Sequence, residues 1–404
     1  MIRRLWPLTL GAFALGLDAY VLAGLLPGMA HDLDTTQALA GLGVTAFTAA
    51  YAVSAPALAF VAERLSPRVA LLAGLGTFTL GNGLTALAPS LGVFLAARSL
   101  AGIGAGLYSP LAAATAGGSV GPEQRGRALS LILAGMSIGT ALGVPLGLLV
   151  EDRFGWRWTI GLIVLLGLGA GCGVAVRTRG MDATPTIGWS ERLAVLRTPF
   201  CLATLAVTVW TAMASLGLYT YLAEIAAARG FGAATPSLIW LWGLGGMAGA
   251  LLIGRIIDRL LPPVRVTPLV LVLLGLGFVL VGRAGLSGAG MGCLLWGLAG
   301  WASVAPQQHA LVSHDPAQAT AAIAWNASAT YLGSALGAAL GSLALSAGLS
   351  PQRLPDAALA AVAVALAIHL AKGRLGKGRL GKGRLGKGRL GRLAGERRAE
   401  DLAA

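Results

Sequence analysis

Apolar runs of about 20 residues follow one another along the whole chain, separated by short stretches of charged and turn-forming residues. An α-helix needs about 20 consecutive apolar residues to cross the hydrocarbon core of a bilayer. Twelve such runs are present, centred near residues 17, 50, 79, 105, 139, 167, 211, 246, 274, 297, 332 and 363. The pattern predicts an all-α membrane protein with twelve transmembrane helices.

Two features divide these helices into equal groups. The longest internal polar segment, residues 177–198, lies between the sixth and the seventh run. Three patterns also recur in the same order after about 194 residues: Ala59-x-x-x-Glu63-Arg64 as Gly254-x-x-x-Asp258-Arg259, Pro122-x-Gln124 as Pro316-x-Gln318, and Gly139-x-x-x-Gly143-x-x-x-Gly147 as Gly333-x-x-x-Gly337-x-x-x-Gly341. We therefore predict two pseudo-symmetric six-helix bundles, 1–176 and 199–371, with a central cytoplasmic loop (177–198) and a basic low-complexity tail (372–404). Repeated membrane halves of this kind are typical of transporters whose binding site lies between the halves.

Composition excludes an ordinary soluble domain. Charged residues make up 11% of the chain and hydrophobic residues 56%, with a mean hydropathy of +0.77, whereas soluble domains carry about 25% charged residues. The three cysteines lie in or beside apolar runs without metal-ligand spacing. No nucleophile, metal set or acid–base constellation is evident, so we expect neither an enzyme nor a cofactor or metal site.

Basic residues set the predicted orientation. With the N-terminus inside, thirteen loop arginines face the cytoplasm and five face outside: Arg153, Arg157, Arg229, Arg283 and Arg353. Twelve spans then place both termini in the cytoplasm. Of the net charge of +14, the tail supplies +8, from eleven basic and three acidic residues, and it contains KGRLG four times in tandem. The tail either attracts anionic lipids or is a topogenic segment without a dedicated partner. Nothing suggests nucleic-acid binding, and we expect a monomer.

Asp18 and Arg98 are the first candidate functional residues. Asp18 lies alone in the middle of the first apolar run, where a carboxylate costs roughly 2.5–3.5 kcal/mol unless it is paired or faces a cavity. At about 1.5 Å per residue, Asp18 lies about 20 Å from the cytoplasmic edge, and Arg98 reaches nearly the same depth. Burial favours a neutral carboxyl and a nearby cation favours the ionised form, so together they can place its change of charge near physiological pH. We predict proton coupling through this pair; the alternative is a static ion pair that fixes helix packing.

Acid–base pairs mark a second candidate site at equivalent cytoplasmic ends of the second and eighth helices. Glu63-Arg64, with Arg68 close behind, matches Asp258-Arg259. Routine topogenic charge explains the arginines but does not explain acids at equivalent positions. We predict a gate of ion pairs that forms in one conformation and opens in the other.

Glycine ladders characterise the fifth and eleventh helices. Glycines spaced four residues apart fall on one helix face and allow another helix backbone to approach closely. Pro145 should also bend the fifth helix. The ladders predict either a sliding seam between the two halves or ordinary close packing; they comprise Gly135, Gly139, Gly143 and Gly147, and Gly333, Gly337 and Gly341.

Aromatic residues concentrate in the second half of the chain. Trp301, Trp325 and Asn326 lie deep in their predicted helices and are candidates for binding an amphipathic, partly aromatic molecule. The alternative for each is a core or interfacial-belt role.

Several of these motifs resemble the major facilitator superfamily. The segment Ala59-x-x-x-Glu63-Arg64-x-Ser66-Pro67-Arg68 is similar to the family's loop signature Gly-x-x-x-Asp-Arg-x-Gly-Arg-Arg, although four of its defining residues differ. Arg98, Gly102 and Gly104 match the fourth-helix signature Arg-x-x-x-Gly-x-Gly. Gly135–Gly147 is similar to the fifth-helix signature of antiporters. The chain looks most like the bacterial drug–proton antiporters related to arabinose-efflux and chloramphenicol-resistance permeases.

This resemblance implies proton-coupled export and a place in the bacterial inner membrane. We therefore expect a secondary active transporter that exports a small organic molecule, either drug-like or sugar-like, in exchange for protons by alternating access. Two alternatives remain open at this stage: a proton-coupled uptake symporter, and a membrane sensor or scaffold that has kept the fold without transport.

Overall fold

The computed structural model describes residues 2–63, 65–120, 124–177, 193–315 and 318–372, and every regular element within them is helical. The first half of the chain forms α1 Ile2–Asp32, α2 Gln37–Ala40, α3 Leu42–Glu63, α4 Pro67–Ala86, α5 Leu91–Gly118, α6 Arg125–Ile138, α7 Val144–Phe154 and α8 Trp156–Arg177. The second half forms α9 Pro199–Thr220, α10 Leu222–Ala228, α11 Thr235–Arg259, α12 Pro263–Arg283, α13 Leu286–Ala302, α14 Val304–His314, α15 Ala319–Ser346 and α16 at 354–372.

Within these residues, eleven helical segments are long and apolar enough to cross a membrane. Helices satisfy all their backbone hydrogen bonds internally, which is what a bilayer interior requires. The predicted span centred near residue 139 is not among the eleven; in the structure this stretch comprises α6, a π-helical segment and α7. The all-helical class is confirmed, and the count of twelve spans stays a prediction. The central loop and the tail lie largely outside the described residues.

A π-helical segment, Gly139–Gly143, separates α6 from α7. Pro145, the second residue of α7, has no backbone N–H, so the carbonyl of Ala141, four residues earlier, loses its usual donor. A wider turn is one way for a helix to accommodate such a break, and π turns of this kind are frequent at functional sites. The bend expected from Pro145 stays a prediction.

The glycine ladder of α6 and α7 faces α1. A Cβ on Gly135 or Gly139 would overlap the backbone carbonyls of Thr9 or Phe13, respectively. Gly143 and Gly147 face the next two turns of α1, at Leu17 and Val21. Only residues without a side chain permit so close an approach.

The second ladder faces α9 and the residue that follows it. A Cβ on Gly333 or Gly337 would overlap the carbonyls of Val209 or Met213, and one on Gly341 would overlap the ring of Tyr221. Both ladders therefore pack within their own half of the chain. The glycine faces thus show close packing inside each half, and a sliding seam between the halves stays a prediction.

Contacts between the halves run along α3 and α15, which pack against each other. The Ser342 hydroxyl donates to the carbonyl of Ala38 at 2.8 Å, and the Thr45 hydroxyl donates to the carbonyl of Ala335 at 3.4 Å. Near the middle of both helices the rings of Tyr51 and Tyr331 stack, with centroids 3.6 Å apart. Polar and aromatic contacts thus join the halves, whereas the glycine contacts stabilise each half.

Candidate functional site

A buried ion pair lies in the interior of the first half. Asp18 is near the middle of α1, and Arg98 is two turns into α5. Arg98 Nη1 donates to Asp18 Oδ1 at 2.7 Å, and the side chains are 0% and 1% exposed for Asp18 and Arg98. The predicted acid and base are therefore in direct contact, which makes both charges tolerable in an apolar interior.

A third residue, Asn82 of α4, completes this network and was missed in the sequence analysis. Its side-chain amide donates to Asp18 Oδ2 at 3.3 Å and to the carbonyl of Phe78 at 3.2 Å. Its carbonyl oxygen accepts from Arg98 Nη1 at 3.2 Å. Asn82 is fully buried. The available signal was a single amide side chain inside the otherwise apolar segment that became α4.

Phe47 of α3 packs against the Arg98 guanidinium. The guanidinium carbon lies 4.5 Å from the centre of the Phe47 ring, a distance at which the ring face attracts a cation. Arg98 Nε has no hydrogen-bond partner. The guanidinium therefore interacts with one anion, one neutral acceptor and one aromatic face.

An aromatic group, the interface cluster, lies beside this network and joins the two halves. Tyr20, two residues after Asp18 on α1, packs against Tyr219, Trp242 and Trp301 of the second half, with ring centroids 6.0, 5.6 and 5.7 Å away. The Tyr219 hydroxyl also donates to the carbonyl of Tyr20 at 3.1 Å. The predicted binding residue Trp301 thus lies where both halves meet.

The interface cluster contains unused hydrogen-bond donors. The indole nitrogens of Trp242 and Trp301 are buried and have no partner. A buried donor without a partner is costly. A molecule that offered both an aromatic surface and hydrogen-bond acceptors could therefore satisfy this cluster.

Trp325 and Asn326 occupy a different environment from Trp301. Trp325 packs against a small apolar cluster that includes Val195 and Leu205. The Asn326 carbonyl accepts from the Thr208 hydroxyl at 2.7 Å, while its amide nitrogen is buried without a partner. The structure therefore separates the predicted binding residues into two groups, and Trp301 is the one in the interface cluster.

The predicted gate falls mainly outside the described part of the structure, which includes neither Arg64 nor the side chains of Glu63 and Asp258. Of the remaining two residues, Arg68 lies in the first turn of α4 with a buried, unpartnered Nε, and Arg259 ends α11 with an exposed side chain. The gating role stays a prediction.

Glu224 lies on α10, a short helix between two membrane-spanning segments. One of its carboxylate oxygens is buried without a hydrogen-bond partner. Burial raises the pKa of Glu224 above its ordinary value, because desolvation disfavours the charged form.

Comparisons with known proteins agree with this architecture. Residues 8–338 match the family model for the Major Facilitator Superfamily. The chain is 29% identical to the uncharacterized MFS-type transporter YtbD of Bacillus subtilis over 64% of its own length and 66% of that protein. It is 32% identical to the chloramphenicol resistance protein of Streptomyces lividans over 63% of its own length and 67% of that protein. The chain thus spans about two thirds of the length of both relatives.

A solved structure has the same fold. A bacterial homologue of the human lysosomal transporter Spinster, crystallised inward-facing and unoccupied, superposes with a TM-score of 0.72 at 15% identity, covering 92% of this chain and 96% of that one. One family model matches most of the chain, and the similar proteins are described as transporters. This multi-pass membrane protein belongs to the major facilitator superfamily of transporters.

Proposed function

We propose that this protein is a proton-coupled exporter of a small organic molecule in the bacterial inner membrane. The observation that carries the proposal is the fully buried Asp18–Arg98 pair at mid-helix. Charges in that position are rare in membrane helices and commonly belong to ion or proton pathways. Protonation of Asp18 changes the net charge of the site by one unit and so favours a different packing of its neighbours.

The position of the interface cluster supports coupling between proton and substrate. Tyr20 is two residues from Asp18 and contacts three aromatic residues of the second half. A movement of α1 that follows proton uptake would therefore reach the contact between the halves directly. Trp301 and the other cluster rings would bind the apolar part of the substrate, and the free indole donors would bind its acceptor groups.

Export of a drug-like molecule is favoured over uptake by the relative described as a chloramphenicol resistance protein. Resistance is consistent with removal of a compound from the cell. The positive-inside bias of the loops favours a cytoplasmic N-terminus, and substrate would then leave in the direction from the first residue of α1 to its last.

Proteoliposomes that contain the purified protein test the proposal. Chloramphenicol and a panel of drugs and sugars are added under an imposed pH gradient, and internal pH is followed with a trapped dye. We expect at least one compound to move with countertransport of protons by the wild type, and Asp18→Asn to lose that movement while remaining folded in the membrane.

Three results would contradict the proposal. Wild-type pH-driven transport by Asp18→Asn would remove Asp18 from the coupling. Accumulation in energised right-side-out vesicles would indicate an uptake symporter. A complete lack of substrate-coupled proton movement across the panel would favour a sensor or scaffold.

A further inference from the structure

Asn82 touches both members of the buried ion pair, and we propose that it holds the Arg98 guanidinium while Asp18 carries a proton. The inference rests on the proton coupling proposed above and assigns a positioning role to a residue outside the recognised motifs. Asn82 itself stays neutral throughout: the proton binds to and leaves a carboxylate oxygen of Asp18.

The need for such a residue follows from the geometry of the pair. Within the described part of the chain, Asp18 is the one carboxylate bonded to Arg98. When Asp18 is neutralised, Arg98 remains as a buried cation without an anion, which is strongly unfavourable in an apolar interior. Protonation can therefore be reversible only if another group stabilises the guanidinium.

Asn82 is placed to do this without moving. Its carbonyl oxygen already accepts from Arg98 Nη1, the same nitrogen that binds Asp18. Its amide nitrogen is anchored on the carbonyl of Phe78, one turn earlier in its own helix. This anchor does not depend on Asp18, so the Asn82 carbonyl stays directed at Arg98 in both protonation states. Phe47 attracts the guanidinium from another side.

The residue type fits the task. An apolar residue would remove the acceptor of Arg98, which favours an ionised Asp18, and the donor to Asp18 Oδ2, which favours a neutral Asp18. We expect the first effect to dominate, because a buried cation without an acceptor costs more than the loss of one long hydrogen bond of 3.3 Å. A carboxylate would bind Arg98 permanently and repel the Asp18 carboxylate, so Asp18 would be protonated at a higher pH. A neutral amide stabilises Arg98 without competing for the proton.

The other titratable groups near Asp18 are tyrosines. Tyr331 of α15 interacts electrostatically with Asp18 and contacts Tyr51 of α3, and Tyr20 lies on α1 itself. Phenols stay neutral around physiological pH. These phenols therefore add no charge change beside the Asp18–Arg98 pair in that range.

The test measures protonation of Asp18 directly in the wild-type protein and three variants, reconstituted in lipid. Infrared difference spectra recorded across a pH series report the carboxyl C=O band, which is assigned to Asp18 by its absence in Asp18→Asn. The variants are Asn82→Leu, Asn82→Asp and a matched control on the same helix, Thr85→Val. Thr85 is buried, and its hydroxyl bonds to the carbonyl of Gly81 in its own helix.

We expect Asn82→Leu to move the midpoint of the band about one pH unit towards acid, the order of effect of losing one hydrogen bond to a charged group. Asn82→Asp should move it towards alkaline pH, and Thr85→Val should leave it unchanged. Opposite shifts at one position are not expected from a purely structural role.

Two outcomes would overturn the inference. Either folded Asn82 variants keep the wild-type midpoint, or both move it in the same direction; Asn82→Asp alone decides the matter if Asn82→Leu does not fold. Failure of the proposed function has different signatures: pH-driven transport that survives Asp18→Asn, accumulation in right-side-out vesicles, or no substrate-coupled proton movement across the panel.

Discussion

Neutralising one residue of the Asp18–Arg98 pair should destabilise the folded protein far more than neutralising both residues together. Both side chains are essentially inaccessible to water, and their charged atoms are 2.7 Å apart. Removing one partner of a buried pair costs about 3–5 kcal/mol, because the other charge is left uncompensated, whereas replacing both with neutral groups is often close to neutral.

The two single variants should differ in a way that the structure specifies. Asp18→Asn leaves Arg98 with the Asn82 carbonyl and the Phe47 ring. The loss of folding free energy should therefore lie near the lower end of that range, at about 3 kcal/mol. Arg98→Met leaves a carboxyl that can become neutral by taking up a proton. Its destabilisation should therefore shrink as the pH falls.

The assay combines stability with transport in the same four proteins: wild type, both single variants and Asp18→Asn/Arg98→Met. Tryptophan fluorescence during denaturation in detergent gives the free energy of unfolding, and proteoliposomes give pH-driven transport. We expect the double variant to be nearly as stable as the wild type but without proton coupling.

Two results would refute this reasoning. A double variant that couples protons like the wild type would show that the pair is only a static packing element. A double variant no more stable than the less stable single variant would show that the two charges do not compensate each other in the folded protein.

Three further predictions concern other parts of the molecule. Gly139→Ala should cost about 1–3 kcal/mol, since its Cβ would meet the carbonyl of Phe13, whereas Gly161→Ala, which meets nothing within 4 Å, should be neutral or stabilising in the same melting assay. Trp301→Leu should weaken binding of the transported compound about tenfold, measured by ligand quenching of fluorescence. Burial raises the pKa of Glu224, so its carboxyl stabilises the fold less as the pH rises through that pKa. The free energy of unfolding of Glu224→Gln should equal that of the wild type near pH 4 and be higher at pH 8. The difference should be less than about 1 kcal/mol, because the group is half exposed. Equal stability of Glu224→Gln and wild type at both pH values would contradict the last prediction.

Sequence reasoning was most successful where one physical requirement dominates. Long apolar runs leave few options besides membrane helices, and opposite charges at one depth in apolar helices have few partners other than each other. For this reason the helices could be predicted from the sequence, and Asp18 and Arg98 could be named as a candidate pair at similar depth, although their contact could not.

Sequence reasoning was less successful where a pattern indicates a close contact but does not identify the partner. A glycine ladder indicates that some backbone approaches closely, and here that backbone is α1 or α9 of the same half rather than the opposite half. Asn82 was missed because a single amide in an apolar run carries no information about its neighbours. Trp301 and Trp325 look alike in sequence, yet Trp301 contacts Tyr20 of the first half and Trp325 packs against the cluster that includes Val195 and Leu205.

The π-helical segment affects how α1 and the α6–α7 helix run past each other. Up to the first residue of this segment, Gly135 and Gly139 face backbone carbonyls of α1, as does Gly16 in the reverse direction towards Met136. From its last residue onwards, Gly143 and Gly147 face the side chains of Leu17 and Val21. The two helices are thus in backbone contact up to about residue 16, and side chains lie between them from residue 17 onwards. Asp18 directly follows this change, so proton uptake would act where the packing of α1 passes from backbone to side-chain contact.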